Sequence, residues 1–392
     1  MLESIPYGDW RLGLQSRIAA KRVPINGTIE LTRRCNNNCV HCYNNLAAAD
    51  ATAREYELDT EQWLQLIDQM SAAGCLWFLM TGGEILLRPD FWEIYAHAKR
   101  NGLLVTLFTN GTLITEDVAD LLAGSRPFSI EITLYGHTPE TYERVSRTPG
   151  SYRRCLRGIR RLLDRQLPLK LKTMVLTTNR AELWDMKRFV EQELGLPFKF
   201  DAIINPRCDG SCGPLTERLP PAKVVELDLL DSERIKEWRK FDRYFNHPMN
   251  ETPDSRRLYR CGGGDKSFAV DPYGQLRMCV LSSASAYDLR SGSFRNGWDQ
   301  FLAAQRQKPA RRTTKCTRCR IHAMCGVCPA NAELECRDAE SPVDFMCRVA
   351  HLRAYTMDIA VTPHGPCEYC PGGENYEVML AAAAELRRWA GI

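Results

Sequence analysis

Three cysteines near the start of the chain, Cys35, Cys39 and Cys42, stand in the run RCNNNCVHCY (34–43). Thiolates are the ligands of iron–sulfur clusters, and a closed cluster takes four of them. One loop can wrap these three around a single cubane, and no fourth is close by, since the next cysteine is Cys75. A cubane with three protein ligands keeps one iron open to an outside molecule. Whatever this chain folds into must therefore deliver the loop to a place such a molecule can enter. The competing reading is a zinc knuckle or buried thiols.

The other cysteines bear on that choice. There are 17 among 392 residues. Disulfide scaffolds are usually short and secreted. This chain is long, and its first residues, MLESIPYGDWRLG, lack the basic and apolar regions of a signal peptide. A reducing, cytoplasmic setting is expected, where grouped cysteines mean metal. Further groups are 261 and 279, then 316, 319, 325, 328, 336 and 347, with small pairs at 208/212 and 367/370. Cys75 and Cys155 stand alone and read as plain thiols. A formal net charge of +4, from 52 basic and 48 acidic residues, gives no case for nucleic acid. No apolar stretch reaches the roughly 18 residues of a membrane span.

Residues 25 to about 205 alternate strand and helix signals. Strands are expected at 25–32, 75–83, 103–111, 128–136, 169–179 and 198–205, with helices at 58–74, 91–102, 115–124, 151–166 and 180–194 between them. Repeated βα units build a parallel sheet with helices outside, and chemistry sits at the strands' C-terminal ends. A polar bridge with one helix at 221–245 follows. From 261 to 355 strands are short and cysteines dense, as in a small unit held by metal. A helix is expected at 375–390.

The cysteine loop, together with Thr81-Gly82-Gly83-Glu84 one βα unit later, resembles the radical S-adenosylmethionine (SAM) superfamily. The resemblance implies a partial (β/α)6 TIM-like barrel of α/β class over 25–205, preceded by an extension, 1–24. It implies a [4Fe–4S] cluster on Cys35, Cys39 and Cys42, and SAM bound at its open iron. Two glycines let a backbone approach a ligand closely, and a carboxylate can pair with the methionine ammonium, so Gly82, Gly83 and Glu84 are expected at that end of SAM. Asn110 in TNGT (109–112), Glu131, Thr133, Lys172 and Asn179 are expected near its carboxylate, ribose or adenine. His41 is expected to pack within the loop. The activity implied is one-electron cleavage of SAM to a 5′-deoxyadenosyl radical that takes a hydrogen atom from substrate.

The later cysteines resemble the SPASM extension of the same superfamily, over 261–355, after a bridge at 206–260 and before a tail at 356–392. That resemblance implies two auxiliary iron–sulfur clusters, expected as [4Fe–4S], against an alternative of zinc. One would use Cys316, Cys319, Cys325 and Cys347. The other would use Cys261, Cys279 and Cys328, its fourth ligand being Asp265, Cys336, one of the 208/212 pair, or none. The gap before Cys328 is two residues where the family has three. Cys208 and Cys212, in NPRCDGSCGPL (205–215), are candidate hydrogen-atom donors or a structural pair, the latter joining Cys367 and Cys370 in a four-thiolate zinc site. Asp209 and Asp265 are the candidate bases.

Together these features resemble the peptide maturases, the branch of the pyrroloquinoline quinone and sactipeptide-type enzymes. The expectation is a crosslink, oxidation or epimerisation on a ribosomally made peptide with a leader. Some two dozen residues before the first strand are too few for a fused peptide-recognition domain of roughly 80–90 residues, so a separate small leader-binding protein is expected, with a flavodoxin or ferredoxin as electron donor. The alternatives are modification of a folded protein or small metabolite, and a non-catalytic iron–sulfur or zinc scaffold.

Overall fold

The computed structural model describes residues 6–44, 46–245 and 257–391. Residues 1–5 of the expected extension and 246–256 of the expected bridge lie outside the described residues.

Six parallel strands run in sequence order across one sheet: β1 (Asn26–Thr32), β2 (Trp77–Gly82), β3 (Leu104–Thr109), β4 (Ser129–Thr133), β5 (Leu169–Met174) and β6 (Phe198–Asp201). Each alternates. Ile29, Leu31, Phe78, Met80, Val105, Leu107, Ile130, Ile132 and Leu171 are buried in the core. Residues of the opposite parity, among them Thr28, Leu79, Thr81, Phe108, Glu131, Thr133 and Lys172, line a single cavity. Strands from across the sheet thus share one interior, and the sheet curls around it as a partial barrel.

Helices cover the outer face with apolar residues at helical spacing. In α1 (Thr60–Ala72) these are Trp63, Leu66, Ile67 and Met70, and in α2 (Phe91–Arg100) they are Phe91, Ile94, Tyr95 and Ala98. Each leucine, isoleucine, phenylalanine or methionine side chain among them, fully buried, contributes about 1.5–3 kcal/mol. Asp59 starts α1 through a capping box with Gln62.

The cysteine-rich region is not detached from this barrel. β7 (Ser267–Val270) adds to the free edge of β1 in parallel register, and β8 (Gln275–Arg277) and β9 (Tyr287–Asp288) extend the sheet antiparallel. The nine-stranded order is β9-β8-β7-β1-β2-β3-β4-β5-β6. Cys279 follows β8 directly, so the sheet itself carries it to the barrel mouth.

The strand expected over 198–205 ends at Asp201, and three further elements differ from the sequence expectation. The strand expected over 169–179 ends at Met174, where Asn179 turns back to accept from Leu176 N at 2.8 Å. The helix expected over 180–194 is a short α-turn between a 3-10 and a π segment. The helix expected over 221–245 is two, α3 (Pro221–Leu229) and α4 (Ser232–Phe245), because the Asp231 carboxylate accepts from Glu233 N at 3.0 Å and starts a new helix. Toward the C-terminus come α5 (Pro329–Cys336), α6 (Asp344–Thr356) and α7 (Tyr376–Ala390).

Candidate active site and cysteine field

β1 ends at Thr32, and the cysteine loop leaves it at once. Gly83 N–H donates to Thr32 O at 2.7 Å and Glu84 N–H to Arg34 O at 2.9 Å. A Cβ at Gly82 would lie 2.1 Å from Thr32 O, and one at Gly83 2.1 Å from Arg34 O. The glycine pair is therefore demanded by protein backbone: it lets the end of β2 zip onto the root of the loop. The far end is held by Glu30, buried in β1, which accepts from Tyr43 Oη at 3.0 Å and Asn44 Nδ2 at 2.6 Å. Burial pushes the Glu30 carboxyl up, opposed by Arg33 and Tyr43.

Cys35, Cys39 and Cys42 all line the cavity, about 530 Å³ in volume, beside Gly82, Gly83, Asn110, Glu131, Thr133 and Lys172. The volume lies within the range of small-molecule and cofactor sites. The three thiols interact electrostatically with one another. Burial, and then the Glu84 carboxylate, push Cys35 up to about 12, and burial raises Cys39 further. As bare thiols Cys35 and Cys39 stay neutral in this setting. A cationic metal centre reverses that preference, because its charge stabilises the thiolates that bind it. Three converging thiols at the mouth of a roomy cavity, Cys39 buried and Cys35 and Cys42 half-buried, are a donor set that fits a cluster with an open iron.

Asn110 ties the third strand to this loop. Its Nδ2 donates to Asn36 Oδ1 at 2.8 Å and lies 3.7 Å from Cys35 Sγ, while its Oδ1 accepts from Thr112 N at 2.9 Å. Gly111 behind it has φ +75°, and Gly158 allows its helix to touch Gly111 O, where a Cβ would stand 2.2 Å away. On the opposite wall Lys172 Nζ pairs with Glu131 Oε2 at 3.0 Å and sits 3.1 Å from the centre of the Phe108 ring. Burial lowers the Lys172 ammonium and Glu131 raises it back in part.

Glu84 stands apart from the other expected SAM contacts. Its carboxylate is fully buried and does not line the cavity. It accepts from Thr109 Oγ1 at 2.8 Å, Asn110 N at 2.8 Å and Leu86 N at 3.2 Å. These hydrogen bonds brace β2 against β3. Asn179 is likewise a buried brace, donating to Tyr135 O and Met174 O. His41 packs edge-on against Tyr135 at 5.4 Å, and burial lowers its imidazole to about 4.

The auxiliary cysteines fall into two sets. Cys316, Cys319, Cys325 and Cys347 line one recess, with a hydrogen bond between the Cys316 and Cys347 thiols. Cys261, Cys279 and Cys328 form a second electrostatic group. Cys279, with Met278, Val280 and Leu281, also lines the cavity of the first loop. Asp265 pairs with Lys266 at 3.6 Å, and Cys336 is exposed against Pro342 O.

Cys208 and Cys212 are separated in role. Cys208 N–H donates to Tyr43 O at 2.9 Å and its Sγ lies 3.5 Å from Val280 O, so it stands directly behind two cavity-lining residues. Burial, then Glu30, push its thiol up to about 12. Cys212 is exposed. The four-thiolate site expected from 208/212 with 367/370 is not formed: Cys367 and Cys370 meet His351 and His364. Glu30, His351 and His364 are the site residues that sequence reasoning missed. A lone carboxylate in the apolar strand NGTIELT and the spacing His-x2-Cys-x2-Cys at 364–370 were the available signals.

Residues 29–190 match the radical SAM superfamily. With the three-cysteine loop at the mouth of a partial barrel, residues 29–190 form a radical SAM domain, the fold of enzymes that use SAM and a [4Fe–4S] cluster. The C-terminal cysteine field, with Cys316, Cys319, Cys325 and Cys347 around one recess, is compatible with a SPASM domain. The AdoMet-dependent heme synthase of Methanosarcina barkeri is 27% identical over 77% of this chain and 90% of that protein. The PqqA peptide cyclase of Ruegeria pomeroyi is 32% identical over 44% of this chain and 45% of its own length. In three dimensions the chain resembles Streptococcus suis SuiB, solved with S-adenosylmethionine and with precursor peptide SuiA, with TM-score 0.64 and 15% identity, over 88% of this chain and 82% of SuiB. Among the described residues no helix is long and apolar enough to cross a membrane.

Proposed function

We propose that this chain is a peptide maturase that removes hydrogen from an unactivated C–H bond of a ribosomally made precursor. One observation carries the reading: Cys279, of the auxiliary set with Cys261 and Cys328, lines the same cavity as Cys35, Cys39 and Cys42. A substrate held there lies between the site of hydrogen abstraction and a second redox centre. Reductive cleavage of SAM supplies the 5′-deoxyadenosyl radical, and an auxiliary cluster supplies a one-electron acceptor. That pairing favours oxidation or crosslinking over epimerisation. If a thiol donates hydrogen instead, Cys208 is the candidate, being protonated and just behind the wall, while Cys212 faces solvent.

In this reading Cys35, Cys39 and Cys42 hold the SAM-binding cluster, and Gly82, Gly83, Asn110, Glu131, Thr133 and Lys172 border SAM. Cys316, Cys319, Cys325 and Cys347 hold one auxiliary cluster, and Cys261, Cys279 and Cys328 the other. The barrel spans 25–205, the bridge 206–260 and the auxiliary unit 261–355. The substrate class is supported by the likeness to the PqqA peptide cyclase and by SuiB's capture with a precursor peptide. A separate leader-binding protein and a flavodoxin or ferredoxin donor complete the system.

The test is co-expression with short peptides encoded beside this gene, in deuterated water, read by mass spectrometry. Loss of two hydrogens is the expected result. Gain of one deuterium alone would mean epimerisation and bring Cys208 forward. A second reading, a tetrapyrrole-class metabolite, is favoured by the coverage of the heme synthase likeness. It gains if no peptide changes, even with partner proteins supplied, while a carboxylated tetrapyrrole is consumed.

A further inference from the structure

Downstream of the auxiliary cysteines, four side chains that the redox chemistry does not use converge on one point. His351 projects from α6. His364, Cys367 and Cys370 come from the loop that joins α6 to α7. His351 Nε2 lies 3.6 Å from Cys367 Sγ and 3.5 Å from Cys370 Sγ. The His364 ring nitrogens lie 3.4 and 3.5 Å from Cys370 Sγ. All four ligand atoms fall within 4.8 Å of one another, and all four residues are buried. A tetrahedral zinc ion with Zn–S near 2.3 Å and Zn–N near 2.0–2.1 Å sets sulfur and nitrogen about 3.6 Å apart. The observed spacings are those of one ion's coordination sphere. An iron–sulfur cluster distributes its ligands over separate irons, and a two-iron centre of mixed type puts its histidines and cysteines on different ones. Here each sulfur is adjacent to imidazole nitrogen.

The surroundings orient the donors. His351 Nδ1 is 2.7 Å from the Cys347 carbonyl, so that nitrogen carries the proton and Nε2 turns its lone pair to the sulfurs. His364 Nδ1 is 3.0 Å from Thr362 O, which leaves Nε2 as its ligand atom. Without a metal, four polar groups would be buried with little but one another for company.

We propose that His351, His364, Cys367 and Cys370 form a structural Cys2His2 zinc site. It fastens the segment before α7 to α6, the helix that carries Cys347. Cys367 and His364 also line the recess of Cys316, Cys319, Cys325 and Cys347. The zinc loop is therefore the wall that shuts this auxiliary set off from solvent on the C-terminal side, and His351 links it to the Cys347 backbone. The site is closed, with four protein ligands and no open position, so its role is to hold structure. The inference is independent of the substrate assigned above.

The test is metal analysis of the full-length protein, expressed with zinc and iron, purified anaerobically and washed with a mild chelator. One zinc per chain is expected, with an X-ray absorption edge fitted by two sulfur and two nitrogen neighbours. Cys370→Ser should lose the zinc and, through loosened Cys347, part of the auxiliary iron. The SAM-perturbed signal of the first cluster should persist, which shows that the barrel is folded. His364→Cys should keep one zinc with three sulfur neighbours, a result that does not depend on a variant failing to fold. Zinc below one tenth per chain in the unsubstituted protein, an all-sulfur fit, or undiminished zinc in Cys370→Ser would each overturn the proposal.

Discussion

The backbone N–H of Asn110 donates to the Glu84 carboxylate at 2.8 Å, joining the ends of β2 and β3 beneath the cysteine loop. Hydrogen bonds to a buried charged group are each worth about 1.5–3 kcal/mol. Glu84→Gln turns an amide toward donors that need an acceptor, so the loop's support weakens. Stability should fall by about 1–3 kcal/mol, and iron at the first cluster should fall with it. In molecules that keep the cluster, SAM affinity should be nearly unchanged, read by titrating SAM against the reduced cluster's electron paramagnetic resonance. Full cluster content with weakened SAM binding would instead place Glu84 on the ammonium.

Gly83→Ala drives a Cβ to 2.1 Å from Arg34 O and 2.8 Å from Arg33 O. Both obstacles are backbone, so relief requires parting β2 from the loop root. Overpacking costs about 1–3 kcal/mol, and more where the backbone must move. The expected outcome is loss of the SAM-responsive cluster with auxiliary signals retained. Gly124→Ala meets nothing within 4 Å and serves as control, with unaltered iron content.

The fold was legible where the chain is periodic. Trp63, Leu66, Ile67 and Met70 write one helix face, and Ile130 and Ile132 alternate with Glu131 and Thr133 along a strand, so elements and their order follow from spacing. Cysteine grouping was only a partial guide: Cys316, Cys319, Cys325 and Cys347 of one run share a recess, while Cys328 of the same run joins Cys261 and Cys279. Direction was not legible. The sequence shows that a carboxylate follows two glycines, but whether Glu84 faces a ligand or a neighbouring strand depends on where Thr109 and Asn110 arrive. The break at Asp231 was hidden for a related reason: an aspartate inside a polar helix reads as a surface residue until its carboxylate is seen capping Glu233. His351 and His364 lie on a helix and a loop 13 residues apart, and only the turn after α6 makes them neighbours.

Lys172 and Glu131 form an ion pair on the cavity wall, with the ammonium over Phe108. Lys172→Met leaves Glu131 half-buried without its partner, at about 1–3 kcal/mol. If the pair borders SAM, as proposed, the dissociation constant for SAM should rise by about tenfold, equivalent to about 1.4 kcal/mol, while the iron content stays that of the unsubstituted protein. The double variant Glu131→Gln/Lys172→Met should recover part of the stability but none of the SAM affinity. Recovery of both would reduce the pair to a structural contact.

Glu182 gives the fold a defined acid sensitivity. Its carboxylate accepts from Thr141 Oγ1 at 2.5 Å, Thr138 Oγ1 at 2.7 Å, His137 N at 2.7 Å and Thr138 N at 3.0 Å, gathering the turn that starts the helix Pro139–Ser146. Burial pushes this carboxyl up, but the hydrogen bonds from Thr141 and Thr138 outweigh it, and the net shift is downward from 4.5. A carboxylate whose folded value is depressed adds stability that is complete above its unfolded value and lost as pH falls through the folded one. Glu182→Gln should therefore lower the urea midpoint at pH 7, and the gap from the unsubstituted protein should close progressively below pH 4.5. The comparison is made anaerobically on cluster-loaded protein. A gap that stays constant down to acid pH would mean that Glu182 acts by shape and not by charge.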